Sequence, residues 1–329
     1  MKSKRILFSV LFLCNLLFLL WMAGCTAAGN DTVPVYSHRL RETTGDQSII
    51  FVSDTQSPLF IEKLRLKADR NEEATKLILN AIGKDSSCVA LFHLGDITAL
   101  GGMQSFWQKF DKNAFAIRNA GIPIFPAFGN HEYYPTAERG KMFMFEHFPF
   151  LQKKSWYYER VGRVAVVLFN SNFSKLSSND LREQQGWFKS TLQMLDADTS
   201  VSIVIVGCHH PPYTNSTIVD PSQDIRDKFL PAFDSSKKAK LFITGHSHAF
   251  EHFKIGDKNF LVIGGGGGLL HPLLMGSSQR TPDQFKGEER RFFHYVKMIP
   301  QSDRLVIQIE KVNSTYTGFE NIYNVEIPY

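Results

Sequence analysis

Five short stretches hold most of the residues that could do chemistry: Asp54-Thr55-Gln56, Gly95-Asp96, Gly129-Asn130-His131-Glu132, His209-His210 and Gly245-His246-Ser247-His248. Carboxylate, amide oxygen and imidazole in one set suit Mn, Fe or Zn rather than Ca. His246 and His248 stand at i and i+2 directly after the apolar run Leu241-Phe242-Ile243-Thr244. An extended backbone there would send both imidazoles to one side, and Gly245 would let the backbone come close without a Cβ clash. Singly, each stretch is weak, because an aspartate after a strand is usually a turn residue and a lone histidine usually sits at the surface or in a satisfied core. Their weight is joint: each follows an apolar run within a few residues.

Those runs are the elements that must position the chemistry. Ser48 to Val52, Cys88 to Leu94, Ile122 to Phe128, Val201 to Val206 and Leu241 to Thr244 read as buried strands. Asn71 to Ile82, with Ala74, Leu77, Ile78, Ala81 and Ile82 at helical spacing, reads as a helix. So do a stretch marked by Phe106, Phe110, Ala114 and Ile117, and the segments Asp180 to Leu195 and Asp224 to Phe233. The β-α-β-α-β order of the first third predicts an α/β fold whose ligand site lies beyond the carboxyl ends of the strands. Trp156 to Arg160 and Val164 to Asn170, around a turn at Gly162, predict an antiparallel pair. Ala249 to Ile255, Phe260 to Ile263, Phe293 to Ile299, Leu305 to Val312 and Ile322 to Ile327 complete the strand-like runs.

Gly264 to Gly268 is five glycines between apolar segments, expected to let backbone run close beneath a site. It lacks the strand-to-helix setting of a nucleotide-binding loop. The segment Leu269 to Arg291 carries Arg280, Lys286, Arg290 and Arg291, which read as a solvated face or as extra phosphate contacts. Tyr133, Tyr134 and Tyr213 follow the chemical stretches and could stack on a base or shield the site.

A chain of 329 residues, 43% hydrophobic, can bury a large core. Its formal charge of +5 includes Lys2, Lys4 and Arg5, ahead of Cys25; the rest is close to balanced, so no nucleic-acid partner is expected. Those three basic residues precede an apolar run from Ile6 to Trp21, interrupted only by Ser9, Cys14 and Asn15, and then Met22-Ala23-Gly24-Cys25. This order resembles the signal peptide and lipobox of bacterial lipoproteins, with Met22 where leucine is more usual. The resemblance implies a leader over 1–24, lipidation at Cys25, a polar tether over 25–47 and a folded domain over 48–329. It further implies a cell-envelope protein held by a lipid on the extracytoplasmic face of a membrane; an uncleaved anchor or ordinary secretory cleavage are the alternatives. Cys88 and Cys208, each in or beside an apolar run, are expected as free buried thiols.

The five stretches, in this order, resemble the motif blocks of the calcineurin-like metallophosphoesterase superfamily. That resemblance implies a four-layer α-β-β-α sandwich with two mixed sheets and two metal ions at the strand ends, Mn, Fe or Zn. Carried over by position, one ion takes Asp54, Asp96 and His248, and the other takes Asp96, Asn130, His209 and His246, with Asp96 bridging. It further implies hydrolysis of phosphate monoesters or diesters by a metal-bridging hydroxide, with His131 beside the leaving oxygen. Glu132 is expected to orient His131 or to be simply solvated at the turn, and His210 to lie behind the ligands or in the pocket wall. The family's first block commonly reads Asp-x-His, and here Gln56 takes the third position. An amide oxygen is a weaker ligand than imidazole, so a second reading is a membrane-tethered binding or scaffold lipoprotein that keeps the fold with a weakened first metal site.

Overall fold

The computed structural model describes residues 33–43, 46–63 and 70–329. The expected leader over 1–24 and the expected lipidation site Cys25 lie outside the described residues. Twelve strands are described: β1 Ser48–Val52, β2 Cys88–His93, β3 Ile124–Pro126, β4 Tyr157–Val161, β5 Val164–Leu168, β6 Ile203–Cys208, β7 Ala239–Thr244, β8 Phe250–Ile255, β9 Lys258–Ile263, β10 His294–Pro300, β11 Arg304–Val312 and β12 Phe319–Pro328. They form two six-stranded sheets, ordered β12-β11-β10-β1-β2-β3 and β4-β5-β6-β7-β9-β8. In the first, β1, β2 and β3 run parallel and β10 joins β1 antiparallel. In the second, β5, β6, β7 and β9 run parallel between the antiparallel edge strands β4 and β8.

Alternation along the inner strands decides the layering. Ile49 and Phe51 of β1 join Phe92, Val166, Ile205 and Ile243 in a core between the sheets. Ile50 and Val52 point the other way, into a core with Ile78, Leu79 and Ile82 of the helix Asn71–Lys84 and with Trp107 and Phe110 of the helix Gln104–Asn113. The second sheet packs its outer face, Ala165, Val167, Val204 and Val206, on Phe188, Leu192 and Leu195 of the helix Ser178–Ala197 and on Phe229 and Phe233. The result is the four-layer α-β-β-α sandwich. Strands covered on both faces must be apolar throughout, which explains the unbroken runs.

Two helical expectations break up. The stretch holding Phe106 to Ile117 is two helices, Gln104–Asn113 and Phe115–Asn119, and the Asp224 to Phe233 segment is Gln223–Lys228 followed by Leu230–Ser235. A helix at Ala137–His147 has no counterpart in the sequence reading: its buried positions, Gly140, Phe143, Met144 and His147, have helical spacing, but two of them are Gly and His while the apolar Met142 is exposed, which blurs the stripe. The expected tether over 25–47 also needs correction where it is described. The Tyr36 side chain is buried, its hydroxyl donates to Asp111 Oδ1 at 2.8 Å, and its ring stacks on Phe148. The Tyr36 and Arg41 amides donate to His147 and Val89 carbonyls, so the folded unit begins near Val35 rather than at 48. Cys88 and Cys208 are free and buried. Among the described residues no helix is long and apolar enough to cross a membrane.

Candidate metal centre

The parallel strands of both sheets end at one place. β1 leads to Asp54 and Gln56, β2 to Asp96, β3 to Asn130 and His131, β6 to His209 and His210, and β7 to His246 and His248. Three of these residues have left-handed backbone, Asp54 at φ 59°, Asp96 at φ 52° and His246 at φ 66°. For residues with a Cβ this costs on the order of 1–3 kcal/mol each and persists only where surroundings impose it. Here they do: the Asp54 amide donates to the Gly95 carbonyl at 3.0 Å, and the His246 amide donates to Asp54 Oδ2 at 3.0 Å. The left-handed turn also replaces the strand-like alternation expected of His246 and His248, and their imidazoles go to different neighbours.

His209 Nε2 lies 3.1 Å from His246 Nδ1, 3.1 Å from Asn130 Oδ1 and 3.3 Å from Asp96 Oδ2. His248 Nε2 lies 3.3 Å from Asp54 Oδ1 and 3.2 Å from the Gln56 amide, which is itself 3.4 Å from Asp96 Oδ2. Donors about 2.1 Å from an ion stand about 3.0 Å apart on an octahedral edge and about 3.4 Å apart on a tetrahedral one. Both groups therefore have the spacing of a coordination shell, and Asp96 Oδ2 belongs to both.

Tautomers agree with this. His209 Nδ1 is 2.9 Å from the Leu94 carbonyl, His248 Nδ1 is 2.8 Å from that of Leu269, and His131 Nδ1 is 2.7 Å from that of Ala99. A carbonyl only accepts, so each Nδ1 carries a hydrogen, and Nε2 is the nitrogen that turns inward to offer a lone pair once it gives up any proton it holds. Electrostatics favours positive charge here. Burial alone would lower His209, but the Asp96 carboxylate outweighs it and holds the imidazole at about 9. Burial likewise opposes charge on His248, and its contact with Asp54 raises it nonetheless. Burial, reinforced by His210 and His209, keeps His246 neutral.

Glycines let the loops come this close. A Cβ on Gly129 would meet Asp96 Oδ1 at 2.1 Å, and one on Gly268 would meet the His248 ring at 2.3 Å. The five-glycine run thus passes directly against the site, with the Gly266 and Gly268 amides donating to the Ser53 and Asp54 carbonyls.

Outside the two donor groups, His131 Nε2 is 3.9 Å from Asp96 Oδ2 and its side chain is partly exposed. Glu132 departs from expectation. It does not orient His131, a task the Ala99 carbonyl performs; it is fully buried and accepts the amides of Asp96, Ile97 and Gly129 at 2.7–2.8 Å. It ties the loop after β2 to the loop after β3. Burial and the Asp96 charge push its carboxyl up to about 7. His210 lies behind the donors, with Nδ1 2.8 Å from Ser171 Oγ and its ring 4.4 Å from that of His246. Its nitrogen, with those of His209 and His246, forms a cluster within 4.8 Å.

The more distant candidates sort clearly. Tyr133 is buried with its hydroxyl on Asn170, and Tyr213 packs on Phe260. Tyr134 is exposed, its ring 6.0 Å from that of His131. Arg280 donates to the Thr214 and Ser216 carbonyls, Arg290 pairs with Asp283 at 2.7 Å, Lys286 donates to the Asp283 carbonyl and Arg291 to that of Leu270. Lys286, Arg290 and Arg291 pin their own loop, and Arg280 ties it to the segment 214–216. Sequence reasoning missed His271, stacked 4.2 Å from His248 with Nδ1 facing the His248 amide, because nothing local marks a loop histidine as a support.

Solved structures share this fold. Purple acid phosphatase PPD1 from yellow lupin (Lupinus luteus) superposes with a TM-score of 0.65 at 17% identity over 87% of this chain, which spans only 54% of the lupin protein. GAP50, described as the anchor in the inner membrane complex of Plasmodium, gives a TM-score of 0.64 at 13% identity, covering 86% of this chain and 89% of that one. A dimetal phosphatase from Danio rerio gives 0.54 at 13% identity, covering 86% and 99%. No protein of curated function matches the sequence. The profile of the calcineurin-like phosphoesterases matches residues 48–250, a stretch that begins with β1 and ends just after His248. Over more than half its length, and in the strand ends that gather these donors, the chain belongs to the calcineurin-like phosphoesterase family.

Proposed function

We propose that this protein is a dinuclear metal-dependent hydrolase of small phosphate esters, monoesters or diesters. What carries the reading is one atom, Asp96 Oδ2, common to two sets of donors at 3.1–3.4 Å. Asp54, Asp96 and His248 would hold one ion, and Asp96, Asn130, His209 and His246 the other. Bound Mn, Fe or Zn ions supply Lewis acidity, which makes water a nucleophile near neutral pH and neutralises phosphoryl oxygens as charge builds on them.

The protein's own groups do the rest. The Leu94 and Leu269 carbonyls hold His209 and His248 in the tautomer that faces the site. The Ala99 carbonyl does the same for His131, whose Nε2 lies outside both donor shells and can protonate or hydrogen-bond the departing oxygen. Tyr134 lies at the rim beside His131, where a leaving group would pass. We further propose attachment to the extracytoplasmic face of a membrane by a lipid on Cys25, on the strength of the sequence before it.

Purified protein lacking the leader should release p-nitrophenol from mono- or bis-nitrophenyl phosphate when Mn is added. No turnover of either substrate with any divalent ion would overturn the reading. The scaffold alternative is favoured by the missing imidazole at position 56; one bound ion or none after loading with Mn, Fe or Zn would support it.

A further inference from the structure

Gln56 is nearly inaccessible to solvent, and the two ends of its amide are told apart by their neighbours. One end lies 3.1 Å from the Asp54 backbone carbonyl and 3.0 Å from that of Asp96. Both carbonyls only accept, so this end is the NH2; the opposite orientation would set an oxygen against two oxygens. Oε1 is then the atom 3.2 Å from His248 Nε2. The same position is 3.4 Å from Asp96 Oδ2. With His248 Nδ1 committed to the Leu269 carbonyl, three lone-pair-bearing atoms from three strand ends converge, and Asp54 Oδ1 stands 3.3 Å from the imidazole as a fourth.

We propose that Gln56 Oε1 is a ligand of the first ion, and that it grades the centre: the first position selects a harder ion of the Mn type, the second a Zn-type ion. The inference rests on the dinuclear reading above. With Gln56 included, the first shell is Asp54, Gln56 and Asp96 oxygens plus one imidazole. The second is Asp96 and Asn130 oxygens plus two imidazoles. Carboxylate and carbonyl oxygen suit Mn and Mg, whereas imidazole suits Zn, Cu, Fe and Ni. Zn outcompetes Mn at almost any shared set of ligands, so grading shows as a difference between the two positions rather than an outright preference for Mn. The two main-chain acceptors on the NH2 also fix the amide's direction before any ion arrives, as outer hydrogen bonds do for metal ligands in general.

The test counts metals and needs no turnover. Metal-free protein lacking the leader is dialysed against fixed free Mn2+ with rising free Zn2+, and both metals are counted per chain by mass spectrometry. Mn2+ electron paramagnetic resonance then reports whether the remaining Mn has a Mn neighbour. The parent protein should exchange in two steps, with a plateau of one uncoupled Mn and one Zn spanning about tenfold or more in free Zn2+. Gln56→His should draw the steps together, and Gln56→Leu should lose the first ion while keeping the second. Thermal melting of each metal-free variant identifies one that has not folded, and the parent curve decides the matter without them. Both Mn leaving the parent at the same free Zn2+, or an unchanged plateau in Gln56→His, overturns the inference and leaves the dinuclear reading standing. Fewer than two ions on the parent under every condition overturns both.

Discussion

Replacing Glu132 by glutamine tests how the two loops that carry Asp96 and Asn130 are held. The carboxylate presents Oε1 to the Ile97 amide at 2.8 Å, and Oε2 to the Asp96 and Gly129 amides at 2.8 and 2.7 Å. Thr98 approaches Oε1 as well, at 3.4 Å. Whichever way a glutamine sits, its NH2 faces two of these N–H donors in a fully buried site, and donors left without an acceptor cost about 1–3 kcal/mol each. The expected loss is therefore about 2–6 kcal/mol, a large part of a domain stability of about 5–15 kcal/mol. Either orientation releases at least one amide of the loop that carries Asp96, so metal affinity should also drop by roughly 10–100-fold. Urea unfolding of metal-free parent and Glu132→Gln followed by circular dichroism measures the first quantity, and titration calorimetry with Mn2+ the second. A variant within about 0.5 kcal/mol of the parent, with unchanged affinity, would refute the claim that this carboxylate ties the loops.

Other substitutions probe other parts of the argument. His131→Ala should lower kcat by roughly 10²–10⁴-fold while metal counting still finds two ions per chain, since His131 lies outside both donor groups. Gly129→Ala forces a Cβ to within 2.1 Å of Asp96 Oδ1, so the carboxylate must move and calorimetry should show the loss of both ions. Glu251 accepts Thr214 Oγ1 at 2.6 Å and the Asn215 amide at 2.7 Å, and burial raises its carboxyl to about 7. A raised carboxyl favours the neutral form in the fold, so its contribution is present at low pH and is lost as pH rises through about 7. Glu251→Gln should therefore gain on the parent by up to about 3 kcal/mol between pH 5 and pH 8, read from unfolding curves. Tyr36→Ala should cost about 3–5 kcal/mol as a buried aromatic deletion, and a chain started at residue 48 should lose as much; equal melting temperatures would return that segment to the status of a tether.

Much of this molecule is legible without coordinates. Short unbroken apolar runs rich in β-branched residues and bounded by turn residues, such as Ile49 to Val52 and Ile203 to Val206, read as strands covered on both faces, which puts the polar residues directly after them at strand ends. Local pattern thus sufficed for the parallel sheets and for placing the candidate donor residues at their ends, because periodicity and residue type are local properties. It failed where the deciding partner is distant. Nothing near Glu132 says that it will accept amides from Asp96 and Ile97, and nothing near Tyr36 announces Asp111. Main-chain carbonyls leave no trace in residue types, so the tautomers set by Leu94, Leu269 and Ala99 were invisible in the sequence. The direction of the Gln56 amide, fixed by the carbonyls of Asp54 and Asp96, was equally hidden. The sequence alone determined which donors this protein owns and in what order its strands deliver them. The resemblance of its motif blocks already implied a division around Asp96; only the tertiary structure gave the distances and the amide and imidazole directions within it, because these depend on contacts between loops of two different sheets.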